Sequence, residues 1–82
     1  MTIKSITIYV KLLNEGIEVY RPVNADCLSN GCYQLKGFDI FDPEDEQWEF
    51  LPGSLVKATT RESDGESILV ASSPCVTKGN TI

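Results

Sequence analysis

Short runs rich in Val, Ile, Thr and Tyr recur along this chain, and turn-forming residues interrupt them at intervals of about 8–15 residues. That rhythm points to an all-β fold of sequential hairpins. The first run, Ile3 to Asn14, alternates Ile6, Ile8, Val10 and Leu12 with Thr7, Tyr9, Lys11 and Leu13. A helical stripe through Ile3, Ile6, Val10 and Leu13 is also present, so periodicity alone is ambiguous. The β-branched content decides for a strand, because such side chains are stiff at χ1 and pack well on a pleated surface.

Asn14-Glu15-Gly16 turns the chain into a second strand, Ile17 to Val23, with Ile17 and Val19 on one face. Pro22 donates no ladder hydrogen bond and marks an edge or a bend. Ser29-Asn30-Gly31 is a hairpin signal. The third strand is expected from Cys32 to about Phe41, with a phase break at Gly37 where Tyr33 and Leu35 give way to Phe38 and Ile40. Gly37 reads there as a β-bulge or sharp bend. Asp42 to Glu46 is a loop or one helical turn, Asp42 capping and Pro43 in first position. Trp48 and Phe50 resume alternation before Pro52-Gly53. Strand four, Ser54 to Arg61, and strand five, Ser67 to Ser72, flank a Ser63-Asp64-Gly65-Glu66 turn. Residues 1–72 therefore form one antiparallel domain, a small five-stranded SH3-like barrel with an OB-like barrel as the alternative. Residues 73–82 read as a flexible C-terminal tail.

The stretches Val10 to Gly16, Tyr20 to Ala25 and Asp42 to Gly53, with Leu69-Val70-Ala71, resemble a group of short, uncharacterised bacterial proteins built around RPV, DPEDExWEFxPG and a closing LVA-like strand. The resemblance spans about residues 6 to 71. It implies the fold and a bacterial origin, and it transfers no catalytic residue.

At 82 residues the chain makes a single domain that buries only about 60–65% of its unfolded surface, too thin a core for a roomy enclosed site. Histidine is absent, which removes the commonest acid–base group near neutral pH, and no GxSxG motif occurs. A non-enzymatic role without cofactor is expected. Three cysteines without histidine do not make a four-ligand zinc site. Cys27 and Cys32 can face each other across a hairpin, read as two reduced thiols near a turn in a reducing compartment, with a disulfide or redox role as the alternative. No apolar run reaches the roughly 18 residues needed to span a bilayer, so no membrane role and a cytoplasmic location are expected.

Charge carries the functional expectation. Asp39 to Phe50 holds six of the twelve acidic residues and no Lys or Arg, while the rest of the chain has six acidic against seven basic. A net charge of −5 disfavours direct nucleic-acid binding. The same segment lacks the DxDxDG arrangement that wraps calcium, so no metal is expected. Acidic residues beside aromatic rings suit a basic protein partner. The expected partner-binding surface is Asp42, Glu44, Asp45, Glu46 and Glu49, with Trp48 as aromatic anchor or, alternatively, as core. An acidic decoy that mimics nucleic acid and blocks a DNA- or RNA-binding protein is the second expectation, and edge-strand self-association near Pro22 a third. Arg21 lies on the parity of Ile17 and Val19, pointing inward, and is expected to pair with Asp39 or Asp42.

Overall fold

A computed structural model describes residues 4–28 and 31–75. It contains six strands and, among these residues, no helix: β1 Ser5–Leu13, β2 Tyr20–Cys27, β3 Tyr33–Leu35, β4 Gln47–Trp48, β5 Leu55–Ser63 and β6 Glu66–Pro74. Five of them form a ring, β1–β2–β3–β5–β6, that returns to β1. The expected small, five-stranded all-β architecture holds. Junctions between successive ring strands are antiparallel, but β6 meets β1 in parallel through a single pair, Tyr9 with Val70. Parallel closure is a consequence of topology: in a meander of five strands the first and last run the same way. The short β4 pairs antiparallel with the end of β1, outside the ring.

The core is built from one face of each strand. In β1, Ile8, Val10 and Leu12 are buried while Thr7 and Leu13 face solvent. Val23 and Ala25 of β2, Leu35 of β3, Trp48 of β4, Val56 of β5 and Ala71 of β6 complete the cluster. Each fully buried Val, Leu or Ile contributes on the order of 1.5–3 kcal/mol of transfer free energy. In a domain this small every one of them matters.

In β2 and β3, three boundaries differ from the sequence expectation. β2 starts at Tyr20, not Ile17, because the turn after β1 is longer: Asn14 and Gly16 both take positive φ, and Leu12 N donates to Val19 O at 2.8 Å. Ile17 is left 75% exposed. The strand then runs past Val23 to Cys27, since β1 offers partners as far as Ser5 opposite Asp26. Pro22 sits in the half of β2 that has only β1 beside it, where a missing N–H costs nothing. β3 ends at Leu35 instead of Phe41. Gly37 adopts φ 103°, and Ile40 N and Phe41 N both donate to its carbonyl, so the chain turns sharply there. Phe38 and Ile40 consequently lie at the surface.

The β5–β6 hairpin closes as expected on Asp64 and Gly65, both at positive φ between the paired Ser63 and Glu66, the geometry of a two-residue type I′ turn. Its register slips between Lys57 and Ala58, leaving Ser72 as an extra residue in β6. Beyond Ser72, where a flexible tail was expected, β6 continues to Pro74 and Cys75 N donates to Leu55 O at 2.8 Å. The remainder of the expected tail, residues 76–82, lies outside the described residues.

Cysteine pairing also departs from expectation. Cys27 stands opposite Tyr33, one residue out of step with Cys32, and is free. Cys32 is instead disulfide-bonded to Cys75, their Cα atoms 6.1 Å apart. The bond ties the end of β6 to the start of β3. No helix among the described residues is long and apolar enough to cross a membrane.

Candidate functional site

The segment between β3 and β5 carries the acidic residues, and its local chemistry explains how each is aimed. Asp42 Oδ1 accepts from Glu44 N at 3.0 Å, and Asp42 O accepts from Asp45 N and Glu46 N, both at 2.9 Å. This is the single turn the sequence suggests, with Asp42 capping and Pro43 in first position. It leaves Glu44 and Asp45 exposed and directs Glu46 back toward the ring.

Glu46 is the hub. Its Oε1 accepts from Arg21 Nε at 2.9 Å and from Trp48 Nε1 at 3.0 Å, while Oε2 accepts from Arg21 Nη2. The hydrogen bonds from Arg21 and then from Trp48 hold the Glu46 carboxyl below the usual carboxylate range, outweighing the opposing effect of desolvation. The same hydrogen bond raises the Arg21 pKa. Arg21 therefore forms a structural ion pair as expected, but with Glu46 and not with Asp39 or Asp42. The reason is local: the Asp42 carboxylate is engaged in its own turn, and Asp39 lies exposed in the turn that follows Gly37.

Trp48 is 3% exposed and belongs to the core. Its ring packs edge-on against Phe41, centroids 5.0 Å apart, and its indole N–H is satisfied by Glu46. Trp48 is thus a structural anchor for the acidic segment and has too little surface to be the aromatic anchor of a partner. Glu49 lies apart from the others, lining a different pocket with Lys11 and Arg61. Of the six residues expected to form one surface, Glu44 and Asp45 remain together at a rim, and Asp42 is exposed in the same turn without lining it.

What they rim is an apolar groove that sequence reasoning did not assemble. Leu13, Phe41, Pro43, Trp48 and Leu51, with Glu46 and Gln47, line a depression of about 290 Å³. It continues into one of about 230 Å³ between Leu13–Glu15 and Pro43–Gln47, walled by Glu15, Glu44 and Asp45. Asn14 Nδ2 donates to Gln47 Oε1 between two residues that line it. Leu13 and Leu51 are 38% and 53% exposed. The one sequence signal was Leu13, an apolar residue on the polar parity of β1. Chemically, the groove can seat an apolar side chain and hold a cation beside it. Among the described residues no group of three or more His, Cys, Asp or Glu is placed to hold a metal.

Compared with protein families, curated proteins and solved structures, the chain matches no family model, no curated protein and no solved structure.

Proposed function

We propose that this chain is a non-enzymatic protein-binding module that docks a short basic segment of a partner protein. The observation carrying this reading is the juxtaposition of an exposed apolar groove with carboxylates that form no direct ion pair with any Lys or Arg of the described residues. Glu15, Glu44 and Asp45 wall the groove, and neither ion pair of the described residues involves them. A Leu, Ile or Pro side chain fills the depression lined by Leu13, Phe41 and Leu51, while a flanking Lys or Arg meets the acids. Apolar burial supplies affinity and the charges supply specificity and on-rate.

The test uses two labelled peptides of equal positive charge, one alternating Arg with Leu and one alternating Arg with Ser, read by fluorescence anisotropy. The apolar peptide binds and loses binding with E44K/D45K; equal binding of both peptides excludes the groove. An acidic decoy for a nucleic-acid-binding protein remains a second reading, supported by the exposure of Asp42, Glu44 and Asp45. It requires charge and not the groove, so a decoy complex is displaced by DNA or RNA and is insensitive to L51S.

A further inference from the structure

We propose a second ligand site, for a small oxyanion of the phosphate type, in the pocket lined by Lys11 and Arg61. This pocket of about 200 Å³ shares no lining residue with the acidic groove. It opens where β1 and β6 part after their single pair, Tyr9 with Val70, so the parallel closure of the ring creates it. Its floor is the buried pair Val70 and Ala71. Lys11 arrives from β1, Thr59 and Arg61 from β5, Tyr20 from β2, and Glu49 follows β4.

Two features single it out in an acidic protein. Of the described cations, Arg21 pairs with Glu46 and Lys36 with Asp26, while Lys4, Lys11, Lys57 and Arg61 make no ion pair among the described residues; of these four, Lys11 and Arg61 line one cavity. Ser72, the extra residue of the β6 irregularity, is brought to the same pocket and is pinned there by donating to Lys57 O at 3.2 Å. Register irregularities of this kind commonly re-aim side chains at binding sites.

The donor set defines the ligand class. A guanidinium fork, an ammonium and the Thr59 hydroxyl offer hydrogen-bond donors from two strands around an apolar floor, which suits a tetrahedral oxyanion better than a flat carboxylate. Glu49 on the same pocket opposes the anion, so two cations act against one carboxylate. Its role is to limit affinity, and its neutralisation strengthens binding.

The experiment is an amide chemical-shift titration of the intact chain with inorganic phosphate at constant ionic strength, with acetate as the comparison. The site predicts saturable shifts confined to residues around Lys11, Val70, Ala71 and Ser72, with acetate binding more weakly. K11A and R61A each weaken phosphate about tenfold, as loss of a charge-assisted hydrogen bond implies. E49Q tightens it, and K57A, on the same strand but outside the pocket, leaves it unchanged. Preserved peak dispersion establishes that each variant is folded. Shifts that rise linearly without saturation, or that survive both R61A and K11A, overturn the site. Acetate binding as tightly as phosphate overturns the assignment of a tetrahedral ligand.

Discussion

Arg21 of β2 and Glu46 of the acidic segment, 25 residues apart in sequence, form a two-point ion pair that fastens the loop to the ring. Because Glu46 also accepts the Trp48 indole hydrogen, one carboxylate links β2, the loop and β4.

The latch makes stability depend on acid. Glu46 has a lowered pKa in the folded chain, so its contribution is complete above the ordinary value of 4.5 and is lost as pH falls through the folded value. Arg21 is 40% exposed at its side chain, which screens the pair, so E46Q costs roughly 1 kcal/mol near neutral pH. Urea unfolding of wild type and E46Q is expected to differ at pH 7 and to converge as pH falls through the lowered folded-state value of Glu46.

Trp48 is expected to be a stability residue. W48A removes the largest member of the core cluster and its contact with Phe41, at a cost of about 3–5 kcal/mol. W48F retains the ring but leaves Glu46 without its indole donor, and is the milder variant. Circular dichroism melts order the three proteins as wild type, W48F, W48A.

How far the sequence discloses this molecule follows from the range of the forces involved. Alternation in β1 marked Ile8, Val10 and Leu12 correctly because burial on one face is a local, period-two signal. The Asp64-Gly65 turn was legible for the same reason: its geometry is dictated by the residues in it. The partner of Arg21 was not, since Asp39, Asp42 and Glu46 are equivalent by charge and only the capping of the turn by Asp42 removes one from competition. The groove was invisible because Leu13, Phe41 and Leu51 come from segments that meet only after the Gly37 turn forms. Cys75 lay in residues that look like a tail, and nothing local joins it to Cys32.

Gly37 is expected to resist substitution. Its φ of 103° disfavours any other residue, and an added Cβ would lie 3.1 Å from Trp48 Cη2 and 3.2 Å from Val23 Cγ1. G37A is predicted to cost roughly 2 kcal/mol or more and to redden the Trp48 emission as the ring is displaced.

The Cys32–Cys75 bond closes a loop with a sequence separation of 43 residues, for which chain entropy gives about 4 kcal/mol as an upper figure. Thiol counting on the unfolded, unreduced protein is expected to find Cys27 alone reactive. C32S/C75S is expected to remain foldable with a midpoint lowered by the equivalent of about 2–4 kcal/mol.

The central claim, that the acidic groove docks a basic partner segment, is tested most directly by mapping. An Arg-Leu peptide titrated into the isotope-labelled protein is predicted to shift the amides of Leu13, Phe41, Glu44, Asp45 and Leu51 together, and E44K/D45K is predicted to abolish those shifts while leaving the Arg21–Glu46 pair and the fold intact. Shifts centred elsewhere, or an unchanged titration in the charge-reversed variant, would contradict the account.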